Sequence, residues 1–328
     1  MRKTIVVHNG AFQADEVFAV AFLIMYYPGL QIDVKSLLER DDYPFEIIRT
    51  RDQDIIDKAD IVCDVGGVHS PINLRFDHHQ WEKPKDADPQ WYTIPKGLHG
   101  DWHAKAKVTP SSCGLVLDYL WHYHHSKKTG LLPTELVNRF FKFLVLGIDA
   151  VDNGMAQVPK DIKLRYKPFN ISEQIKHYNA EEDISEEQDI NFHRAVDVAL
   201  FHLRYWDSGF YRDQVNYVPF KELIDAQSGD HLCMPKFYKG WRGMLNRAKA
   251  LKKYKRIVWP TIDEKGQREW RVQVPPKEPG SFEFTVPPLD GSKVNPEHPY
   301  GHSTGDLVFV HSGHWIGATR TKEAAYKL

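Results

Sequence analysis

"ADIVCDVGG" (residues 59–67) and, seven residues on, "LRFDHHQ" (74–80) decide how this chain folds. The first is an unbroken apolar run that ends in an aspartate and two glycines. The second closes another apolar segment with Asp77, His78 and His79 side by side. Three ionisable groups crowded at a strand end cost stability unless water solvates them in a turn or a cation holds them. Working outward, "TIVV" (4–7) and "FEIIRT" (45–50) are further strand-like runs, and "VFAVAFLIMYY" (17–27) reads as a buried helix closed by Pro28. Unbroken β-branched runs spaced by a helix imply a parallel sheet covered on both faces. Such sheets present their ligands at the C-terminal ends of the strands.

Further along, a polar stretch rich in Trp and Pro (81–110) leads into a helix through "LVLDYLWHY" and a second over "PTELVNRFFKFLVLGIDAVDNG" (133–154). Residues 155–190 are polar and uneven and are expected to contain the connection between domains. A long amphipathic helix is expected over 185–206. The second part ends in strands at 256–262, 268–276 and 305–312 and a short helix, "TKEAAYKL". The reading is two domains, 1–170 and 171–328, in line with about 100–200 residues per domain.

Composition sets bounds. The chain has 328 residues, 43 basic against 44 acidic, so no global field draws it to a polyanion and any such site is local. Cys63, Cys113 and Cys233 form no CxxC pair, which argues against a disulfide framework and a thiolate zinc site. The N-terminus lacks the apolar stretch of a signal peptide, and the longest apolar run is shorter than the roughly 20 residues a bilayer span needs. No membrane association is expected, and the default compartment is the cytoplasm.

The chemistry concentrates at strand ends. His8 follows strand 4–7, and Asp15 opens the next helix. Asp64 ends the run in "CDVGG", Asp77, His78 and His79 follow the next segment, and Asp149 and Asp152 lie three apart in "GIDAVDNG". Carboxylate and imidazole donors without sulfur suit two divalent ions such as manganese or magnesium. An aspartate can bridge ions about 3.5–4 Å apart, the spacing used in phosphoester hydrolysis. Each residue also has a plainer reading: a loop histidine, a helix N-terminal acid, a turn acid. A second pair, His124 and His125 in "WHYHHSKK", has no strand before it and no aspartate beside it, and reads as a solvated helix end. The joint order of the first set distinguishes it. Basic residues recur late in the chain: Arg271 in "WRVQV", Lys277 in "PPKEPGSF", then His311, His314, Arg320 and Lys322 around Trp315, a mixture that suits phosphates and stacked bases. The most basic run, "LNRAKALKKYKR" (245–256), reads as a solvated helix face.

The blocks "HNGAFQADE", "IIRTRD", "DIVCDVGG", "RFDHHQ", "SSCGLVLDYL", "DAVDNG", "VPPKEPGSF" and "VHSGHWIGATRTKEAA" together resemble the melanocyte-proliferating-gene (Myg) exonuclease family, a branch of the DHH phosphoesterases related to RecJ nucleases. The resemblance runs from residue 8 to the end. It implies an α/β fold: a parallel-sheet DHH-type phosphoesterase domain with a smaller α+β C-terminal domain that grips substrate. It also implies manganese-dependent 3′→5′ exonuclease action on single-stranded RNA, with two Mn2+ ions expected and Mg2+ as the alternative. By motif, His8, Asp15 and His78 would be metal ligands, Asp64 the bridge, and Asp149 or Asp152 a further ligand. Asp64, Asp77 and His79 would be catalytic, His79 contacting the scissile phosphate. Gln13, Arg271, Lys277, His311, Gly317 and Arg320 would contact substrate. Two departures stand out: Gln13 occupies a position where the family carries a second histidine, and Gly317-Ala318 replaces paired glycines. The alternatives are a nucleic-acid-binding protein whose catalysis is weakened or lost through those changes, and a hydrolase of short oligonucleotides or small phosphate compounds. Family members are known from nucleus and mitochondria; a homodimer is an open option.

Overall fold

The computed structural model describes residues 2–28, 43–80, 102–155, 158, 165, 169–278, 280, 281, 283, 284, 289 and 306–328. The Trp- and Pro-rich stretch expected at 81–110 lies largely outside them, as does most of 156–168. The chain divides into two compact units, Met1–Ser208 and Gly209–Leu328.

In the first unit β1 (Lys3–Val7), α1 (Ala14–Tyr26), β2 (Phe45–Arg49), α2 (Gln53–Lys58) and β3 (Ile61–Cys63) alternate, followed by two short strands, β4 (His69–Ser70) and β5 (Arg75–Phe76). The sheet order is β2-β1-β3-β5-β4. β1 pairs in parallel with β2 and with β3, and β3 in parallel with β5, so the C-terminal ends of β1, β3 and β5 share one edge. β4 runs antiparallel at the margin. The expected parallel α/β architecture is therefore present. The polar segment after β2 forms the short helix α2, whose N-terminus is capped by the Asp52 side chain.

Apolar residues occur all around α1, and the helix is accordingly enclosed: all but one of its side chains are buried. It packs against α4 (Ser112–Lys127). After α3 (Trp102–Ala106) and α4 come α5 (Thr134–Phe140), a π-helical turn (Phe141–Val145) and α6 (Leu146–Asp152), one continuous run that follows the expected helix over 133–154. His124 departs from expectation. It is buried, with Nε2 2.7 Å from the Tyr26 carbonyl and Nδ1 2.7 Å from Thr129 Oγ1, so it ties the end of α4 to that of α1. His125 alone is the exposed helix end.

The boundary between units falls later than 170/171, inside α8 (Glu186–Ala226). The first half of this helix belongs to the first unit because its side chains are committed there: Phe192 meets Phe12 edge to face at 5.3 Å, Arg49 pairs with Asp189 at 2.8 Å, and Tyr26 donates to Asp207 at 2.7 Å. The segment read as a connection also belongs there, through α7 (Ile171–Lys176) and the residues that follow it. α8 runs 20 residues past its expected end, carrying Gly209 and Pro219 within it. Local propensity disfavours both inside a helix.

The second unit holds β6 (His231–Cys233), α9 (Trp241–Arg247), β7 (Arg256–Ile262), β8 (Arg268–Gln273), β9 (Leu307–Val310), β10 (Ile316–Thr319) and α10 (Lys322–Lys327). Its sheet, β6-β7-β8-β10-β9, is antiparallel apart from the β6–β7 pair, so this unit is α+β as expected. The basic run 245–256 is not a solvated helix: α9 stops at Arg247, and Leu245, Ala250, Leu251 and Tyr254 enter the core with Trp241 and Trp259. Cations and apolar residues alternate there because the segment turns along the core surface. Gly317 sits in β10 where a Cβ would lie 2.9 Å from the Phe309 carbonyl. The neighbouring atom is backbone and cannot swing aside. Gly317→Ala is therefore expected to destabilise the protein by about 1–3 kcal/mol, read as a lower denaturant midpoint at unchanged slope.

Candidate metal centre

The sheet edge gathers the acids and imidazoles. His8 follows β1 directly, Asp15 and Glu16 occupy the first turn of α1, Asp64 follows β3, Asp77, His78 and His79 follow β5, and Asp152 ends α6. Asp64 turns the chain at φ 57°, a left-handed conformation that aspartate tolerates better than most residues, and Gly66 and Gly67 continue at positive φ. That turn aims the carboxylate back over the sheet edge.

Asp64 is the common point. Its Oδ2 lies 3.3 Å from His8 Nε2, and its Oδ1 lies 3.3 Å from His78 Nε2 and 3.5 Å from His79 Nδ1. His8 Nε2 also lies 3.0 Å from Glu16 Oε1, and His78 Nε2 lies 3.2 Å from Asp152 Oδ2. Three overlapping sets have the spacing of metal donors: Asp64, His78 and His79; His8, Glu16 and Asp64; Asp15, His78 and Asp152. Asp64 belongs to two of them and His78 to two. His8 Nδ1 reaches the Asn9 carbonyl at 2.8 Å, which assigns that nitrogen as the donor and leaves Nε2 for the cluster.

Burial and like charge make the set unfavourable as it stands. Burial pushes the Asp15 carboxyl well above the usual range, with Asp64, Glu16 and Asp152 adding to it. Burial also raises Asp152, to about 6. Burial acts against charge at Asp64 as well, but His78 and His8 outweigh it and hold the carboxylate below its ordinary value. Burial would lower His8, yet Asp64 and Glu16 bring it to about 10. Both Asp15 carboxylate oxygens and Glu16 Oε2 are buried with no hydrogen-bond partner, and Asp152 Oδ2 and His78 Nε2, though 3.2 Å apart, are not aligned for a hydrogen bond. Donors of this kind with unused lone pairs are costly to bury and are what a divalent cation satisfies. All are oxygen or nitrogen. Cys63 precedes Asp64, but burial and the neighbouring acids push its thiol well above the usual range, so no thiolate enters the set. The residues fit a pair of hard or borderline divalent ions.

Asp149 is not among these donors. The sequence left it level with Asp152, since residues three apart neighbour each other on a helix. In the structure its Oδ2 meets His103 Nε2 at 2.6 Å, and its Oδ1 accepts from Ser111 Oγ at 2.7 Å and from Gly114 N–H at 3.2 Å. A Cβ on Gly114 would fall 2.3 Å from that carboxylate. Asp149 thus anchors α6 against the start of α4, while Asp152, one turn on, reaches the sheet edge. Asp77 also serves another side chain. It accepts from the backbone of Gly67 (2.6 Å) and of His79 (3.0 Å) and meets His79 Nδ1 at 2.8 Å. That contact with Asp77 raises the pKa of His79, whose side chain is 61% exposed.

Several residues here were not singled out from sequence. Glu16 is one, although it sits in the quoted "ADE". Others secure the loop that carries His8: Asn179 receives Phe12 N–H at 2.8 Å and donates to the Phe12 carbonyl at 2.9 Å, Gln188 donates to the Gly10 carbonyl at 3.0 Å, and Arg49 reaches the same carbonyl while lying over the rings of Phe12 and Phe192. Gln13 is exposed; its N–H donates to Glu16 Oε1 at 2.9 Å, and its side chain lines a cavity of about 420 Å3 with Asp15, Asp152 and Lys176. In the second unit the expected substrate cations have carboxylate partners: Arg271 with Glu269 (2.7 Å), Lys277 with Glu283 (2.8 Å) and Arg320 with Asp263 (2.9 Å). His311 accepts from Gly313 N–H and lies against Trp315.

A family model named MYG1_exonuc and described as an uncharacterised protein family (UPF0160) matches residues 4–328. The chain belongs to the MYG1 exonuclease family. MYG1 exonuclease of Bos taurus is 28% identical over 344 residues, covering 98% of this chain and 82% of its own, and MYG1 exonuclease of Homo sapiens is 28% identical over the same span. A MYG1 protein of Chlamydia muridarum is 39% identical over 147 residues, 45% of this chain and 36% of its own. The crystal structure of exonuclease RecJ bound to manganese aligns over 99% of this chain and 88% of RecJ at a TM-score of 0.29 and 12% identity, too distant to bear on the site. Among the described residues no helix is long and apolar enough to cross a membrane.

The two aspartates of "DAVDNG" are separable by experiment. Mn2+ at about 100 times its Kd adds about 2.7 kcal/mol to stability, a rise in melting temperature of roughly 5–10 °C. Asp64→Asn and Asp152→Asn are expected to abolish that rise in a thermal-shift titration. Asp149→Asn is expected to lower the starting melting temperature, by losing charged hydrogen bonds worth about 1–3 kcal/mol, and to keep the rise. Because protons compete with metal for Asp152, the Mn2+ effect should weaken as pH falls below about 6.

Proposed function

We propose that this chain is a divalent-metal-dependent phosphodiesterase that removes nucleotides from the 3′ end of single-stranded RNA, with manganese as its ion and magnesium as the alternative. The single observation that carries the reading is the set of buried, unpartnered oxygen and nitrogen donors around Asp64. The exonuclease names of the mammalian relatives supply the substrate class. His8, Glu16 and Asp64 would hold one ion, and Asp15, His78 and Asp152 the other, with Asp64 close to both sets. When bound, such ions supply Lewis-acid stabilisation of phosphate oxygens and a hydroxide-like nucleophile at neutral pH.

The chain's own residues contribute the rest. Asp77 holds the His79 ring by Nδ1 and favours its protonated form, so the exposed Nε2–H is set to donate to a phosphate oxygen as charge develops on it. Asn179, Gln188 and Arg49 keep the His8 loop in register with α1. The three donor sets are assembled from His8, Asp15, Glu16, Asp64, His78, His79 and Asp152 without Gln13, and this supports an active enzyme over a binding protein that has lost catalysis.

Purified protein with Mn2+ and a 5′-labelled oligoribonucleotide should give products shortened one nucleotide at a time. Asp64→Asn and His78→Ala should abolish cleavage, and His79→Ala should lower kcat by about 10²–10³-fold. Gln13→His should change the rate by less than about tenfold, the lower end of what outer-shell changes do to metal sites. Cleavage that survives Asp64→Asn would refute the assignment.

A further inference from the structure

One cluster of ionisable side chains in the second unit takes no part in the metal centre. Cys233 ends β6, the margin strand of its sheet, and its thiol is free and partly exposed. Two side chains of α10 converge on it. The Lys322 ammonium donates to the Cys233 sulfur and to the Tyr326 hydroxyl, and Tyr326 hydrogen-bonds to the same sulfur. Lys322 Nζ also stands 5.5 Å from the centre of the Tyr326 ring and 5.8 Å from that of Trp270 on β8. Two residues back on β6, and so on the same face of the strand, His231 meets the Tyr326 ring edge to face at 5.2 Å. Asp230, the acid beside them in the chain, is engaged by His231 at 2.7 Å and by Lys255 at 2.8 Å. Contacts with Tyr326 and with Cys233 raise the pKa of Lys322, so the group that faces the sulfur is a cation at neutral pH.

Reactive thiols sit partly exposed in electropositive surroundings, and thiols closed off in a core are inert. Cys233 meets the first description. Cys63 and Cys113 are fully buried and meet the second. The backbone of Cys233 is held from both sides by one amide: its N–H donates to Gln227 Oε1 at 2.9 Å, and its carbonyl accepts from Gln227 Nε2 at 2.8 Å. A group added to the sulfur is therefore accommodated by displacing the Lys322 and Tyr326 side chains rather than the strand. At six residues, α10 depends on such packing for its order. We propose that Cys233 is a thiol-modification site, at which its sulfur attacks a small-molecule disulfide such as oxidised glutathione and α10 loosens in response. The reagent's S–S bond breaks as a new one forms to Cys233. The Cys233 sulfur is oxidised, and the departing thiol is reduced and takes up, through water, the proton that Cys233 gave up. Lys322 stabilises negative charge on the attacking sulfur and loses that partner in the product. The site is independent of the ions around Asp64 and of the exonuclease reading.

The test treats the full chain with oxidised glutathione and follows the intact mass and the masses of its peptides. One adduct per chain is expected, on Cys233, reversed by dithiothreitol and absent from Cys233→Ser. Cys63 and Cys113 should react only once the chain is denatured. A gain in thiolate is partly offset by lower nucleophilicity, so Lys322→Gln should slow adduct formation about three- to tenfold. Lys322→Arg keeps the charge and should restore most of the rate, which separates an electrostatic role for Lys322 from a merely structural one. Hydrogen exchange at the backbone amides of α10 should quicken in the adduct and return to its starting rate on reduction. No adduct at Cys233 under conditions that modify the denatured chain, equal rates at all three cysteines, a rate unchanged in Lys322→Gln, or exchange in α10 unaltered by the adduct would each overturn the proposal.

Discussion

Mutual repulsion among buried carboxylates is the constraint on which this structure turns. Asp15, Glu16 and Asp64 are buried against one another, with Asp152 at their margin, and among the described residues His8 and His78 stand between them. Without a cation the arrangement is tolerable only because Asp15 and Asp152 are pushed toward their protonated forms. A chain under selection for stability alone would not bury so many acids with so few partners.

The first unit is organised around holding that repulsion in place. Its parallel strands bring the ends of β1, β3 and β5 to one edge, and the enclosed helix α1 delivers Asp15 and Glu16 in a single turn. The supports are themselves buried polar networks. His103, Ser111 and the Gly114 backbone fix α6 through Asp149, and Asn179, Gln188 and Arg49 fix the His8 loop through its carbonyls and N–H groups. Donor atoms poised in this way lose little order when an ion arrives, which is the physical content of a preorganised site.

The second unit follows a different logic. The cations expected to meet substrate are paired with neighbouring acids, so its charge pattern in sequence overstated what they offer to phosphate. Arg271, Lys277 and Arg320 carry the basic signal along the chain, but each has a carboxylate within 2.7–2.9 Å. The same distinction governs Gly317: its absence of a side chain serves the close approach of Phe309 within the sheet.

Much of this was legible from local pattern. Unbroken apolar runs with helices between them specify parallel strands, because only such a sheet is buried on both faces. The order of His8, Asp15, Asp64 and the Asp77–His79 cluster at strand and helix ends followed from the same periodicity. What the linear pattern could not carry is the partner of each polar atom, which depends on residues far away in the chain. Asp149 and Asp152 look equivalent on a helix wheel, and they part because His103 and Ser111 claim one while the sheet edge receives the other. Helix α8 continues through Gly209 and Pro219, where local propensity is for a break. The sequence by itself determined the sheet and the edge at which chemistry collects, since both arise from hydrophobic period. Tertiary structure alone decided which donors remain unsatisfied at that edge, since hydrogen-bond satisfaction is a property of neighbours in space.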